Sequence, residues 1–474
     1  MSGSKLNTDD GSRSSPADLA ISLDRDSPVP LVSQLATALR AAAANGALRL
    51  GQRLPSTREL AGRLGVSRTV TAVAYDQLRA EGWLAGRLGS GTYLAAAPQP
   101  ATGGAVPPGG PRRLGDRLDL PLGSCWANGL DRTAWRRAWR GAGEAPPRSC
   151  PDWAGLPEYR TAVTGHLLLH RELTPLPETV LATAGTTAGL MEVARSTLRP
   201  GDPVAVEEPG YQRAVDALRM AGTHVVPAPV DRHGLVVEAV PRGVQAVYCT
   251  PAHQYPLGGQ LRADRRVALV SRARDEGFLV VEDEYDGELR YDVSPLPMLA
   301  ALGPDVVVQL GTMSKILTTS LGVGWLVGPP RVTAAVLTLR QRTGIAPPEA
   351  GQRVVVELAR SGDLDRHLRK LRRELAVRRD DLVEALTAAG FRVLGEQAGA
   401  HVLVPLPSLA AEEAARAGGA AAGLGLDGLS RHYAGLAVQY GVPIGYAACS
   451  RGELAAALPS LVEVLRRARQ VGYG

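Results

Sequence analysis

A stretch rich in proline and glycine divides this chain of 474 residues into two unequal parts. Residues 97–111 read A-P-Q-P-A-T-G-G-A-V-P-P-G-G-P, a composition that can neither sustain a helix nor pack a core. We therefore expect a linker over residues 96–117, between an N-terminal domain at 19–95 and a larger domain at 118–474. The polar residues 1–18, rich in Ser, Gly and Asp, are predicted to form a disordered tail.

Bulk composition narrows the class of protein. Apolar residues make up 45% and charged residues 21%, as in ordinary globular proteins. No signal peptide opens the chain, and no apolar run approaches the roughly 20 residues that cross a bilayer. We expect a cytoplasmic protein with no membrane partner. The four cysteines are far apart and lack metal-ligand spacing, which predicts reduced thiols and no metal site.

Helix signals follow one another in the N-terminal domain. Residues 31–44 carry leucine and alanine at helical spacing. Ser56 and Glu59 form a capping box, which predicts that a second helix begins near Thr57. Gly65 is a natural residue to end that helix, because glycine accepts the left-handed conformation of a C-cap.

A third helix and a hairpin are predicted after Gly65. Ser67 can cap this helix, which would run to about Glu81. We expect Val70, Val73, Ala74 and Leu78 to face inward, and Arg68, Thr69, Ala72 and Tyr75 to face outward. Two short β-runs around a glycine-rich tip follow within residues 82–93 and form a wing. The domain is therefore predicted to be a winged helix-turn-helix, mainly α.

The position of the basic residues favours DNA as the partner of this domain. In such a motif the second helix enters the major groove, where its first residues reach base edges. Arg58 and Arg68 lie near helix N-termini, which themselves favour phosphate, and Arg87 precedes the wing tip. A small helical domain with ordinary surface arginines is the alternative interpretation.

Five motifs in this domain resemble the GntR-type winged helix. They read L-P-S-T-R-E-L, G-V-S-R, A-Y-D-Q-L, E-G-W-L and G-S-G-T, in that order between residues 54 and 92. The resemblance implies that the domain binds operator double-stranded DNA. The predicted DNA contacts are Arg58, Ser67, Arg68, Thr69, Arg87 and Gly89.

Short apolar runs alternate with helix-length segments in the larger domain. Five of these runs are residues 203–206, 246–248, 278–281, 306–310 and 324–327. Nearly continuous apolar strands separated by helices are typical of a mostly parallel sheet that is covered on both faces.

One lysine in this domain stands out against the arginines. Of 53 basic residues only Lys5, Lys315 and Lys370 are lysine. Lys315 lies just beyond the predicted strand 306–310. A Schiff base with an aldehyde cofactor requires a primary amine, which arginine cannot supply. We therefore predict that Lys315 carries such a cofactor; an ordinary surface lysine is the alternative.

Other strand ends supply the groups that pyridoxal phosphate (PLP) requires. Asp283 follows the strand 278–281 and is the candidate partner of the pyridinium nitrogen, with Tyr285 at the phenolic oxygen. The Gly- and Thr-rich turn 183–189 opens a helix and suits the phosphate. Tyr211 follows another strand and could stack on the ring. A solvated acidic loop or a metal site is the alternative for the segment around Asp283.

Together these segments resemble fold-type I aminotransferases. The motifs are A-G-T-T-A, E-E-P-G-Y, T-P-A-H-Q-Y-P-L-G, E-D-E-Y-D and G-T-M-S-K, spread over most of residues 120–470. Combined with the N-terminal motifs, they resemble the MocR subgroup of GntR regulators. The resemblance implies an α/β fold-type I domain with a small C-terminal α+β subdomain, an internal aldimine on Lys315, and a head-to-tail, domain-swapped homodimer. The predicted cofactor contacts are Lys315, Asp283, Tyr285, Tyr211, Gly185, Thr186, Thr187, Thr312, Ser314 and His253.

Two positions depart from the family pattern. Gly322 stands where the family has an arginine that grips the cofactor phosphate, and Pro443 where it has one that holds a substrate carboxylate. We therefore predict a regulator that senses PLP or an amine or amino-acid effector, with Lys315 not supporting sustained turnover. Arg213 is a candidate anchor for an anionic effector. An aminotransferase with an accessory DNA-binding head, and a regulator whose large domain only dimerises, are the alternatives.

Overall fold

The computed structural model of the chain describes residues 21–44, 47–87, 91–95, 117–146, 148–291, 297–395 and 397–471. The chain divides into two compact units, Met1–Arg113 and Leu114–Gly474. The predicted tail at 1–18, all of the predicted linker except residue 117, and Gly89 at the wing tip lie outside the described residues.

The described part of the first unit contains three helices and a two-stranded antiparallel hairpin. The elements are α1 (Leu31–Ala44), α2 (Thr57–Leu64), α3 (Arg68–Ala80), β1 (Leu84–Arg87) and β2 (Gly91–Leu94). The predicted caps are confirmed. The Ser56 hydroxyl accepts a hydrogen bond from the Glu59 amide at 3.2 Å, and Gly65 ends α2 at φ 62°. The Ser67 hydroxyl likewise caps α3.

The predicted faces of α3 are wrong at two positions. Tyr75 is fully buried, and its hydroxyl donates to the Pro55 carbonyl at 2.9 Å, whereas Val73 is 47% exposed. The buried residues Thr71, Ala74, Tyr75 and Leu78 recur at the spacing of one helical face. The prediction followed polarity alone, but tyrosine can bury its ring when its hydroxyl finds a partner.

The second unit alternates helices and strands. The elements are β3 (Leu118–Asp119), α4 (Arg132–Glu144), α5 (Pro157–Arg171), β4 (Val180–Thr183), α6 (Thr186–Thr197), β5 (Pro203–Glu208), α7 (Gln212–Met220), β6 (His224–Asp231), β7 (Gly234–Leu235), β8 (Ala246–Cys249), α8 (Ala263–Glu276), β9 (Leu279–Glu284), α9 (Leu299–Leu302), β10 (Val307–Thr312), β11 (Gly324–Val327), α10 (Pro330–Thr343), α11 (Glu349–Arg360), α12 (Asp363–Ala388), β12 (His401–Leu406), α13 (Leu409–Ala421), β13 (Leu424–Gly425), β14 (Tyr440–Gly445) and α14 (Arg451–Val471). The five predicted strands correspond to β5, β8, β9, β10 and β11.

Within the described residues of the second unit, eight strands form the central sheet, in the order β4-β11-β10-β9-β8-β5-β6-β7. The pairs β10–β9, β9–β8, β8–β5 and β5–β6 are parallel, while β11 and β7 run against their neighbours. The carboxyl ends of β4, β5, β8, β9 and β10 therefore meet at one edge. In open α/β sheets, ligands bind beyond this edge.

Both faces of the sheet are buried, as the apolar strands predict. Successive residues of a strand point to opposite faces, so Val280 and Val281 on β9 join different hydrophobic clusters. The cluster with Val281 also contains Leu190 of α6, whereas the cluster with Val280 contains Val163 of α5. The sheet is thus the middle layer of three.

A small α+β subdomain ends the chain. Strands β12 and β14 pair antiparallel, β13 pairs parallel with β3, and α13 packs on α14. The fold class predicted from the sequence is confirmed. Among the described residues, no helix is both long and apolar enough to cross a membrane.

Candidate functional site

A cavity of about 1040 Å³ opens at the carboxyl edge of the sheet. Segments that follow β4, β5, β8, β9 and β10 form its walls, together with residues 121–128 and 427–432. The predicted site residues that line it are Gly185, Thr186, Thr187, Tyr211, Arg213, Asp283, Tyr285, Thr312, Ser314 and Lys315. The topology therefore brings together residues that lie up to 130 positions apart in the sequence.

Lys315 reaches this cavity from the turn after β10. The Thr312 hydroxyl accepts a hydrogen bond from the Ser314 amide at 3.1 Å and so stabilises the turn. The Lys315 ammonium donates to the Gly123 carbonyl. Burial lowers the pKa of Lys315, although the charges of Asp286 and Asp283 oppose that shift. A lowered pKa increases the fraction of neutral amine, the form that attacks a carbonyl.

Asp283 lines the same cavity from β9. Its Oδ2 accepts a hydrogen bond from the Tyr248 hydroxyl at 2.7 Å, whereas its Oδ1 is buried without a hydrogen-bond partner among the described residues. Burial raises the pKa of Asp283 to about 7. A positively charged N–H group at Oδ1 would supply the missing hydrogen bond and favour the carboxylate form.

The two acids beside Asp283 point to the opposite face of the sheet and are also buried. Glu282 accepts hydrogen bonds from the Leu299 and Ala300 amides at the start of α9, at 2.7 and 2.9 Å. Glu284 lies 2.6 Å from a guanidinium nitrogen of Arg171 on α5. This segment is therefore not a solvated acidic loop, because each carboxylate has its own buried environment.

The turn between β4 and α6 can receive an oxyanion. Gly185 caps α6 at φ 122°, a conformation that favours glycine, so the first amides of the helix face the cavity edge. Thr186 and Thr187 begin the helix. The Thr312 hydroxyl donates to that of Ser314 at 2.9 Å, which adds a second pair of hydroxyls.

An aromatic wall closes another side of the cavity. The rings of Tyr211 and Tyr255 meet edge to face at 5.3 Å, and those of Tyr255 and Tyr285 at 6.0 Å. Tyr211 therefore has a fixed orientation from which it can contact a planar ligand.

His253 does not occupy the predicted position. It is absent from the described cavity lining and is almost fully buried. Its Nδ1 lies 2.9 Å from Asp286 Oδ2, and its carbonyl accepts a hydrogen bond from the Tyr285 hydroxyl at 2.9 Å. The predicted direct contact with the cofactor is thus corrected: His253 holds Tyr285 from behind, because β9 and the 250–258 segment pack together there.

The two departures from the family pattern lie outside the described cavity lining. Gly322 follows a 3₁₀ helix at φ 56°, and a Cβ added there would have no described atom within 4 Å. Pro443 is buried in β14 opposite Leu403. The backbone at 322 thus disfavours other residues, and the side chain at 443 is in the small subdomain's core.

Several cavity residues escaped the sequence analysis. They are Gln212, Tyr248, Tyr255, Asp427, Arg431 and His432. Tyr248 could have been found, because it lies near the carboxyl end of a predicted strand. The residues from 427 to 432 carry no local signal, since only the packing of the small subdomain brings them to the sheet edge.

Four of the six predicted DNA-binding residues lie on the surface of the first unit. Arg58 is in the first turn of α2, and Arg68 and Thr69 begin α3; all three are exposed, as is Ser67. Arg87 ends β1, where its backbone pairs with Gly91. Exposed residues at two helix N-termini have the access that contacts with phosphate and base edges require.

Comparisons with known proteins assign both units. Residues 31–94 match the model of bacterial regulatory proteins of the gntR family, and residues 130–464 match that of aminotransferase class I and II. The HTH-type pyridoxine biosynthesis transcriptional regulator PdxR of Corynebacterium glutamicum is 37% identical over 379 residues, which cover 78% of this chain and 82% of that protein. The probable rhizopine catabolism regulatory protein MocR of Rhizobium meliloti is 31% identical over 451 residues, covering 90% and 92%.

Solved structures resemble the second unit. A Pyrococcus horikoshii kynurenine aminotransferase in complex with PMP aligns with a TM-score of 0.67 at 24% identity, over 75% of this chain and 92% of that one. LysN, an α-aminoadipate aminotransferase from Thermus thermophilus, aligns with a TM-score of 0.68 at 24% identity, over 75% and 93%. These similarities concern the fold.

Proposed function

This chain belongs to the GntR family of bacterial regulatory proteins, in the MocR type that carries an aminotransferase domain, and we propose that it is a DNA-binding transcription regulator that responds to PLP chemistry. The first unit binds operator DNA. The second unit holds PLP on Lys315 and senses PLP itself or an amine or amino-acid effector. DNA binding places the protein in the cytoplasm.

The observation that carries this proposal is the pairing of two unlike groups across one cavity. Lys315 supplies a half-buried primary amine, and Asp283 presents a buried oxygen that lacks a hydrogen-bond partner among the described residues. An isolated buried acceptor is costly, and a pyridinium N–H would satisfy it. If Lys315 had only a structural role, nothing would explain why Asp283 presents this unsatisfied oxygen to the same cavity.

The other residues of the cavity fit the remaining parts of PLP. When bound, PLP supplies an electrophilic carbonyl carbon conjugated to an electron-withdrawing ring. Asp283 would keep a proton on the ring nitrogen, with Tyr248 fixing the carboxylate. Tyr285 would turn its one hydroxyl proton from the His253 carbonyl to the phenolic oxygen, and Tyr211 would stack on the ring. Gly185, Thr186, Thr187, Thr312 and Ser314 would bind the phosphate.

The missing arginines favour sensing over sustained turnover. A charge-assisted, often bidentate contact contributes about 1.5–3 kcal/mol, so its loss at position 322 weakens the grip on phosphate. Its loss at position 443 removes the usual anchor for an α-carboxylate. Arg213 lines the cavity and can hold an anionic group in its place. Half-transamination without turnover remains compatible with Lys315. A true aminotransferase would need both the phosphate contact and the carboxylate contact that these arginines provide.

The assembly we propose follows the family resemblance. A head-to-tail, domain-swapped homodimer would carry two winged helix-turn-helix domains, and two such domains would bind paired half-sites on the operator. Size determination by light scattering, together with a footprint of the region upstream of the gene with and without PLP, tests this arrangement.

Absorption spectroscopy tests the cofactor. Titration of the full-length protein with PLP should produce a visible band distinct from that of free PLP. The band should vanish in Lys315→Arg, which keeps the charge but lacks a primary amine, and persist in the matched control Lys370→Arg. A band that survives Lys315→Arg would contradict the proposal.

A coupled transamination assay with amino acids and keto acids tests the non-enzymatic role. We expect no sustained turnover. Steady production of new amino acid would instead support the aminotransferase with an accessory DNA-binding head.

A further inference from the structure

Three side chains in the cavity hold buried polar atoms that have no hydrogen-bond partner within the described part of the chain. These atoms are Asp283 Oδ1, Gln212 Nε2 and the two ring nitrogens of His432. His432 is 2% exposed, and its Nε2 is 3.8 Å from Asp427 Oδ2, too far for a hydrogen bond. Buried polar groups are nearly always satisfied, and PLP accounts for Asp283 alone.

Gln212 and His432 lie on one wall although they are distant in sequence. Gln212 begins α7, and His432 ends the 3₁₀ helix Leu429–His432. The Gly210 amide donates to the His432 carbonyl at 2.9 Å, which joins the two segments. The Tyr255 ring lies 5.3 Å from the rings of both Tyr211 and His432.

The groups on this wall are mainly hydrogen-bond donors. Gln212 offers an amide, His432 a ring N–H, and Arg431 a guanidinium that lines the cavity and is 65% exposed. Asp427 is the acid that faces them; it contacts Arg431 at 3.0 Å and accepts from the Gly428 amide at 2.9 Å. Because Asp427 engages Arg431 through one nitrogen, other guanidinium N–H groups remain for a ligand.

We propose that Gln212, Arg431 and His432 form a carboxylate-binding subsite that replaces the arginine missing at position 443. The ligand is a small amine that carries a carboxylate: its amine points to Lys315 and its carboxylate to this subsite. The inference rests on the proposed function, which it deepens by naming the class of effector. It differs from the anchor Arg213 because two of its three members, Gln212 and His432, have buried nitrogens without a hydrogen-bond partner among the described residues.

Maleate is the probe for this subsite, since it has carboxylates but no amine and cannot react at Lys315. Calorimetric titration of the PLP-loaded full-length protein should show maleate binding. Gln212→Met combined with His432→Phe should weaken that binding at least about tenfold, because hydrogen bonds to a charged group are lost. Arg431→Gln, a change at an exposed side chain, should also weaken it. Arg219→Gln, at an exposed arginine of the same helix as Gln212, is the matched control.

Other outcomes overturn the inference. Maleate that does not bind, or that binds the double variant and Arg431→Gln as tightly as the original protein, removes the subsite. A parallel titration with inorganic phosphate separates the two oxyanions: phosphate binding that depends on these residues, with none for maleate, makes the carboxylate assignment wrong. The PLP band is recorded first. Its absence refutes the proposed cofactor, and the maleate titration of the same cofactor-free protein and variants still decides the subsite.

Discussion

The two units place their chemistry at different depths. In the first unit the candidate DNA contacts Arg58 and Arg68 are exposed, and among its described residues Thr71 is the polar side chain that is buried. In the second unit the candidate cofactor acid Asp283 is buried, as are Glu207, Glu282, Glu284 and Glu288. A polyanion such as DNA binds to exposed side chains, whereas a small ligand in a cavity binds to side chains that are buried away from water.

The difference in burial indicates in which unit ligand binding is coupled to the free energy of unfolding. Exposed arginines can change with little effect on folding, because solvent screens their charges. Buried carboxylates depend on partners, and each unmet charge there costs folding free energy. We therefore expect variants of the buried carboxylates in the second unit to change stability and ligand binding together. Variants at the reading surface, the exposed residues Arg58, Ser67, Arg68 and Thr69 of the first unit, should change DNA binding alone.

Breaking the buried ion pair of the second unit should have the largest effect. Arg171 and Glu284 are 2.6 Å apart and at most 3% exposed, so Arg171→Met leaves a buried carboxylate unpaired. The expected loss is about 3–5 kcal/mol of unfolding free energy, measured by urea denaturation of the full chain. The double variant Arg171→Met/Glu284→Leu should recover most of it. A loss below about 1 kcal/mol for the single variant, the range of an exposed pair, would show that this pair contributes no more than a surface salt bridge.

The pH dependence of the unfolding free energy of the cofactor-free protein should depend on the buried acid Asp283. Burial raises the pKa of Asp283 to about 7, above the value of about 3.9 in an unfolded chain. The folded state therefore holds this proton more tightly, and stability falls as pH rises from about 4 through about 7. Asp283→Asn keeps the shape but removes the titration, so this part of the slope, at most about 1.4 kcal/mol per pH unit, should disappear.

Urea denaturation at a series of pH values measures this slope. Burial also raises the pKa of Glu207 to about 7, so a residual slope should remain in Asp283→Asn. The exposed acid Asp216 is the control, and Asp216→Asn should behave like the original protein. Equal slopes for the original protein and Asp283→Asn would show that this acid does not titrate in the range that its burial implies.

Sequence reasoning identified most of the cavity residues that follow strands, because strand ends are visible in the sequence. An apolar run followed by Asp283, or by Lys315, indicates a residue at the sheet edge, and parallel strands bring those edges together. His432 and Arg431 were missed because no apolar run precedes them at that edge. His253 was misplaced for a related reason: a motif gives the neighbourhood of a residue, but packing decides which side chains line the cavity.

At the reading surface, Arg68→Ala should reduce operator affinity without a change in folding. Arg68 begins α3 and is exposed, so the expected loss is about 1–3 kcal/mol of binding free energy with relaxed specificity. Fluorescence anisotropy at several salt concentrations measures it, since each lost phosphate contact also reduces the salt dependence. The control is Arg63→Ala, which removes an exposed arginine in the last turn of α2 that pairs with Glu59. Equal loss in both variants would indicate a general charge effect rather than a defined contact.

The smallest expected effect concerns the hydrogen bond of Tyr75, the α3 residue that was predicted to face outward and is buried. Tyr75→Phe keeps the ring in the core but leaves the Pro55 carbonyl without the hydroxyl that lies 2.9 Å away. We expect a loss of about 1 kcal/mol, seen as a lower melting temperature of the first unit's transition in calorimetry of the full chain. Val73→Ala, at the exposed position that was predicted to be buried, should change it by less than about 0.5 kcal/mol. The reverse order would mean that Val73, and not Tyr75, is the core residue on this part of α3, as polarity alone suggests.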